Sequence, residues 1–224
     1  MKQDLLHLGY NLSQINKIIE QSCAVIHKNP QDIKLIAVSK NQPFELIKQA
    51  YDLGIRDFGE SYAQELKNKI NLAEQAGLAI RWHFIGAIQT NKIKDIARAE
   101  FIHSISNIRH AEVLDKIAEH EVKIFLQIKL IDDQSRSGFL VSDMSDALLV
   151  IKKLNKLKII GLMAILPLDT QKKPEQWFAY MRELRDNLDP ELKLSMGMSS
   201  DFKEAILAGA DYIRIGSLLF GPRY

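Results

Sequence analysis

The segment Asp211-Tyr212-Ile213-Arg214-Ile215, near the end of the chain, is short, β-branched and bounded by glycines at 209 and 216. Short apolar segments between turn residues are typical of β-strands. Seven earlier segments have the same character, at residues 33–39, 56–59, 81–85, 101–104, 122–130, 158–165 and 192–196. Residues 211–215 are therefore the eighth predicted strand, and this number of strands decides the fold.

Helical patterns lie between the predicted strands, at residues 41–53, 60–76, 91–99, 107–119, 144–154, 174–188 and 201–208. Strands that alternate with helices over short connections imply right-handed crossovers and a parallel sheet. Eight such units predict an α/β fold, a single (β/α)8 TIM-type barrel, with an open doubly wound sheet as the alternative. Only nine residues follow the last strand. The extra N-terminal helix, with Ile15, Ile19 and Cys23 on one face, is expected to fill the place of the eighth helix.

Composition narrows the class of protein. The chain has 224 residues, 46% of them hydrophobic and 26% charged, with a formal net charge of +2. This near-balance argues against a nucleic-acid partner, and no apolar run reaches the ~20 residues of a membrane span. The single Cys23 excludes an intrachain disulfide and indicates a reducing compartment. We therefore expect a cytoplasmic protein with one domain over residues 1–224, and a monomer because no long apolar seam stands out.

Two residues at inward-facing positions are candidates for chemistry, because functional groups of such barrels lie where the strands end. Lys40 ends the first strand on the same face as Ile36 and Val38. A desolvated lysine there is a candidate Schiff-base amine, although a lysine that reaches solvent is the simpler alternative. Arg214 faces inward on the last strand. A buried guanidinium needs a partner, either a bound acceptor or a core carboxylate.

Two loops of small residues follow the seventh and eighth strands, and they contain Ser199, Ser200, Gly216 and Ser217. Barrels commonly hold phosphate at these two positions, although capping of the next helix is the alternative. With Lys40 and Arg214, the four loop residues suit an aldehyde that carries a phosphate ester. Pyridoxal 5′-phosphate (PLP) would place its aldehyde at Lys40, its ring nitrogen toward Arg214 and its phosphate on the loops.

Histidine and metal chemistry is not indicated. The six histidines lack the spacing of metal ligands, so no metal site is predicted. His83 lies in the middle of a predicted strand and is expected to be a hydrogen-bonded core histidine.

Seven ordered motifs resemble the signature of the pyridoxal phosphate homeostasis family, at residues 35–40, 58–60, 82–86, 89–92, 161–165, 194–199 and 214–216. The resemblance implies a barrel similar to the N-terminal domain of alanine racemase. It also implies PLP as the cofactor, bound as a Schiff base on Lys40, with Arg214 at the ring nitrogen and Met163 and Ser61 beside it. Ser61 stands where the family usually has asparagine, and Ala87 stands where it tends to have proline.

The function implied by the resemblance is the buffering or delivery of PLP in vitamin B6 homeostasis, with no established catalytic reaction and no catalytic residue named. Apo PLP-dependent enzymes are the expected recipients. A PLP-dependent enzyme, such as an amino-acid racemase, is the alternative. Racemases of that type carry a further C-terminal β domain, and the eight residues after Gly216 leave no room for one, so the carrier is the expected function. A Schiff-base aldolase is a third class and predicts a colourless protein.

Overall fold

A closed barrel of eight parallel strands forms the centre of the molecule. The computed structural model describes residues 2–132, 136–167 and 172–221, and for residues 2–6 it describes the backbone alone. The strands are β1 Lys34–Val38, β2 Asp57–Glu60, β3 Arg81–Phe84, β4 Phe101–Ile105, β5 Val122–Gln127, β6 Leu157–Met163, β7 Lys193–Ser195 and β8 Tyr212–Ile215. Each strand pairs in parallel with the next, and β8 pairs with β1. The predicted barrel is confirmed, and the open sheet is excluded.

Helices cover the outside of the barrel. They are α1 Lys2–Val25, α2 Phe44–Asp52, α3 Ala63–Gln75, α4 Ile93–Ile96, α5 Ile108–Ile117, α6 Met144–Ile151, α7 Pro174–Leu188, α8 Phe202–Leu207 and α9 Ser217–Phe220. Because α9 is a single turn, α1 fills the remaining space and contacts α2, α8 and α9. Asn11 Nδ2 donates to the carbonyl oxygen of Leu219 at 3.0 Å. The expected place of the N-terminal helix is confirmed. In the described part of the chain, no helix has the length and apolarity needed to cross a bilayer.

The sheet separates two apolar clusters. Outward-facing strand residues, such as Ala37 and Ile213, pack against the helices. Inside the barrel, Phe101, Phe125 and Met163 form a second cluster against which Tyr212 packs. Barrels of this size are filled with side chains and have no open channel. A ligand site built by the strands must therefore lie at one end of the barrel.

Several predicted boundaries differ from the structure, and three of them were wrong for a reason that the contacts show. Glu60 is the last residue of β2 and not part of a helix, because its buried carboxylate accepts hydrogen bonds from Ser39 after β1 and from Lys69 of α3. The predicted helix at 91–99 is a 3₁₀ turn followed by the single turn of α4. The predicted strand at 122–130 ends at Gln127, because the chain beyond it pairs with its own loop at Phe139.

Candidate functional site

Lys40 follows β1 at the C-terminal end of the barrel, and two carboxylates hold the residues on either side of it. Ser39 Oγ donates to Glu60 Oε1 at 2.6 Å. The backbone N–H of Asn41 donates to Glu65 Oε1, with the two heavy atoms 2.7 Å apart. Because both neighbours are fixed, the half-buried Lys40 is held at the mouth of the barrel.

A buried lysine joins these two carboxylates. Lys69 Nζ lies 2.8 Å from Glu60 Oε1 and 2.7 Å from Glu65 Oε1, and it donates to the carbonyl oxygen of Ser39 at 2.6 Å. Burial raises the pKa of Glu60, while the attraction of Lys69 opposes this shift. The second oxygen of Glu60 is buried and has no hydrogen-bond partner among the described residues. Sequence reasoning missed this cluster because it placed Glu60 in a helix.

Arg214 lies inside the barrel with 5% of its surface exposed, and it is level with Ile36 of β1. Its Nη1 donates to Ser195 Oγ at 2.8 Å and its Nη2 donates to the carbonyl oxygen of Ala164 at 2.9 Å. Both acceptors are neutral, so none of the carboxylates that the structure describes is the hydrogen-bond partner of Arg214. Burial lowers the pKa of Arg214 to about 10, and Asp201 opposes this through its charge. The guanidinium has five N–H donors, and these two bonds use one each.

The loops after β7 and β8 contact each other. Ser199 Oγ accepts from the backbone N–H of Leu218, with the heavy atoms 3.4 Å apart. Ser200 and Ser217 are exposed, whereas Gly216 is half-buried. The structure therefore brings the four loop residues of the predicted phosphate site onto two adjoining loops.

Asp201 closes the first of these loops instead of capping α8. Its Oδ1 accepts from the backbone N–H of Met198, with 2.6 Å between the heavy atoms, and it makes no side-chain capping bond to the helix. Gly197 has a φ of +92°, in the region that favours glycine. The turn between β7 and α8 is therefore fixed by Asp201 and Gly197, which leaves the hydroxyls of Ser199 and Ser200 outside the capping role.

The two remaining predicted residues occupy different environments. Met163 is fully buried at the end of β6, in the cluster inside the barrel with Phe101 and Phe125. Ser61 is half-buried directly after β2. A Cβ placed on Gly86 would overlap the carbonyl oxygen of Ser61. The backbones after β2 and β3 therefore touch at the mouth, and only a residue without a side chain fits there.

A polar chain runs through the barrel below Arg214. His83 Nε2 lies 3.0 Å from Asp57 Oδ1, and His83 Nδ1 lies 2.9 Å from His103 Nε2. His103 Nδ1 lies 2.9 Å from Ser195 Oγ, which also accepts from Arg214. The expectation of a hydrogen-bonded His83 is confirmed. Sequence reasoning missed the other members, although strand alternation puts them on the inward face.

Asp57 is expected to make the protein sensitive to acid. Burial alone would raise its pKa, but hydrogen bonds from Arg81 and His83 outweigh burial and lower it to about 2. A depressed carboxyl pKa contributes stability that is present above about pH 4 and is lost as the pH falls toward 2. We expect this group to account for about 2 kcal/mol of the acid-induced loss.

The free energy of unfolding in urea, measured at pH 7, 4 and 2.5, checks this expectation. Asp57→Asn should be less stable than the wild type at pH 7 and should lose less stability on acidification. Glu74→Gln is the control, because Glu74 is 65% exposed in its pair with Arg98. Parallel pH curves for Asp57→Asn and the wild type would contradict the assignment.

Comparison with known proteins places this geometry in a family. The sequence model described as "Alanine racemase, N-terminal domain" matches residues 4–224. The pyridoxal phosphate homeostasis protein of Synechocystis is 40% identical over 210 residues, which cover 89% of this chain and 95% of that protein. The chain belongs to the pyridoxal phosphate homeostasis family. The Escherichia coli member is 33% identical over 230 residues, covering 96% of this chain and 97% of its own.

Solved structures agree with the family. PipY of Synechococcus elongatus, whose structure was determined with PLP bound, is 36% identical and superposes with a TM-score of 0.78. The match covers 91% of this chain and 100% of PipY. Alanine racemase of Clostridium difficile is 16% identical with a TM-score of 0.73, and the match covers 95% of this chain and 56% of the racemase. The second likeness concerns the fold alone.

Proposed function

We propose that this member of the pyridoxal phosphate homeostasis family binds PLP as a Schiff base on Lys40 and carries it without a catalytic reaction. The observation that carries the proposal is Arg214. Its guanidinium is buried beneath the mouth of the barrel, and its two acceptors among the described residues are neutral. A buried cation with N–H groups to spare suits a ligand that offers a lone pair.

The donors at the mouth fit the parts of PLP. The bound cofactor would supply an aldehyde, and Lys40, held by its fixed neighbours, supplies the amine. Arg214 donates toward the pyridine nitrogen. The adjoining loops after β7 and β8 offer hydroxyls and backbone N–H groups to the phosphate, through Ser199, Ser200, Gly216 and Ser217.

Met163 and Ser61 complete the proposed site. Met163 lies at the bottom of the proposed site, because it is fully buried and precedes Ala164, whose carbonyl oxygen accepts from Arg214. Ser61 lies at the wall after β2, where its backbone touches that of Gly86. Its side chain is short and has no amide, so we expect Ser61 to contribute less to PLP affinity than the asparagine usual in the family.

The chemistry of Arg214 disfavours PLP reactions that need a long-lived carbanion, and this supports a carrier. An arginine does not give up its proton, so it keeps the pyridine nitrogen unprotonated and the ring a weak electron sink. The named relatives favour a carrier over a racemase, since the homeostasis proteins of Synechocystis and E. coli are 40% and 33% identical to this chain. We propose a cytoplasmic monomer with one domain over residues 1–224 that passes PLP to apo PLP-dependent enzymes.

Complementation tests this function. We expect an E. coli strain without its own homeostasis protein to have altered pools of PLP and other B6 vitamers and a reduced tolerance of excess pyridoxine. The wild-type protein should restore both, and Lys40→Ala should restore neither. Equal restoration by the two proteins would contradict the role of Lys40. Racemisation or decarboxylation of a common amino acid by the purified PLP-loaded protein would overturn the carrier in favour of an enzyme.

A further inference from the structure

Five buried side chains on five strands form one continuous hydrogen-bonded chain, which we call the interior chain: Asp57, His83, His103, Ser195 and Arg214. The contacts between successive members are 2.8–3.0 Å long. At its far end, Arg81 donates to both oxygens of Asp57, at 2.8 and 2.6 Å. These two residues line a cavity of about 410 Å³ near the N-terminal ends of β1 to β3. The interior chain therefore runs from that end of the barrel to Arg214.

Aromatic rings enclose the two histidines. Phe101 stacks on His83 with 4.3 Å between ring centroids, and Phe125 stacks on His103 at 4.2 Å. Tyr212 packs against both histidines, at 6.3 and 5.8 Å. Both histidines have no exposed surface. Each nitrogen of each ring is therefore paired within the interior chain, in surroundings that are otherwise apolar.

The chemistry of the members fixes the direction of every hydrogen bond. Asp57 is ionised and only accepts, so His83 must donate from Nε2. Burial lowers the pKa of both histidines, so each ring is neutral and carries one proton. His83 Nδ1 then accepts from His103 Nε2, and His103 Nδ1 accepts from the hydroxyl of Ser195. The hydroxyl proton of Ser195 is therefore used in the bond to His103, and the hydroxyl oxygen accepts from Arg214.

We propose that His83 and His103, oriented by Asp57, are positioning residues that hold Arg214, through Ser195, for the pyridine nitrogen of PLP. A hydroxyl without the histidines could rotate and present its proton to the guanidinium. The interior chain removes that freedom. Ser195 Oγ and the carbonyl oxygen of Ala164 each accept from one of the five guanidinium N–H groups. These two bonds fix the plane of the guanidinium and so orient the other three N–H groups. This inference rests on the proposed function only for the ligand of Arg214.

Ser195→Ala tests the chain, and Ser104→Ala is a matched control. Both serines are buried on strands of the barrel, but Ser104 Oγ has no hydrogen-bond partner among the described residues. We expect Ser195→Ala to bind PLP about tenfold more weakly, since a lost bond to a charged group has effects of this size. The ¹⁵N shift of the labelled pyridine nitrogen should also change. Ser104→Ala should match the wild type within about twofold, because it loses no hydrogen bond.

Histidine NMR tests the direction of the bonds without any cofactor. In ¹⁵N-labelled protein free of PLP, both His83 and His103 should be protonated on Nε2 and should stay neutral where an ordinary histidine becomes charged. The Nδ1–H form of either ring, or ordinary titration near pH 6.5, overturns the proposed direction. Asp57→Asn should weaken the preference of His83 for the form protonated on Nε2, since an amide can donate as well as accept.

The outcomes separate this inference from the proposed function. If Ser195→Ala binds PLP as tightly as the wild type, with the same ¹⁵N shift, the positioning role is wrong and PLP binding stands. If the wild-type protein does not bind PLP, the proposed function fails and Arg214 loses its proposed ligand, whereas the directions of the hydrogen bonds are still decided by the NMR measurement.

Discussion

Replacing Lys40 with alanine is expected to remove the covalent hold on PLP and the yellow colour that goes with it. The amine forms the Schiff base in our proposal, and its two neighbours are fixed by Glu60 and Glu65 so that it stays at the mouth. Alanine has no nucleophile, so only the loops and Arg214 would remain to bind the cofactor. We expect retention of PLP through gel filtration to weaken on the order of 100-fold.

The visible spectrum and bound PLP per chain, measured after gel filtration, check this result. Lys158→Ala is the control, because Lys158 is an exposed lysine near the start of β6, at the opposite end of the barrel. It should keep the spectrum and the PLP content of the wild type. A yellow band of wild-type intensity in Lys40→Ala would contradict the assignment of Lys40 as the residue that forms the Schiff base.

Replacing Gly86 with alanine is expected to destabilise the fold and disturb the mouth of the barrel. The new Cβ would overlap the carbonyl oxygen of Ser61, which is backbone and cannot turn away as a side chain could. One of the two loops must therefore shift. Overpacking of this kind costs about 3 kcal/mol, or roughly 10 °C in the thermal midpoint of a chain of this length.

Thermal unfolding followed by circular dichroism measures the effect. Gly9→Ala is the matched control, because Gly9 lies in α1 and its Cβ would make an ordinary contact, 3.9 Å from Leu53 Cδ2. Alanine is favoured over glycine in a helix by about 1 kcal/mol, so this variant should be as stable as the wild type or more stable. Equal thermal midpoints for Gly86→Ala and Gly9→Ala would show that the loops do not touch as described.

The strand positions could be predicted because each strand has a local signature. Short apolar segments between turn residues are visible without knowledge of the partner strand, and the order of pairing in a (β/α)8 barrel follows the sequence. The boundaries that failed depend on contacts between elements. Glu60 belongs to β2 because Ser39 and Lys69 bind its carboxylate, and neither contact is visible in the residues around Glu60.

Some residues of the candidate site could likewise be predicted from the sequence, and others could be found only in the structure. Lys40 and Arg214 could be singled out because each lies near the end of a strand and alternation gives its face. His103 and Ser195 also face inward, but their importance comes from which inward residues meet across four strands. That depends on the register between strands, which the sequence does not display. For the same reason, the contact between the backbones of Ser61 and Gly86 could be found only in the structure.

Borohydride reduction of the PLP-loaded protein, followed by peptide mapping, tests the central claim most directly. Reduction converts a Schiff base into a stable secondary amine, so it records which side chain held the cofactor. We predict one pyridoxyl group per chain, on the peptide that contains Lys40, and no modification of that peptide without reduction. A pyridoxyl group on another lysine, with Lys40 unmodified, would contradict the proposed site.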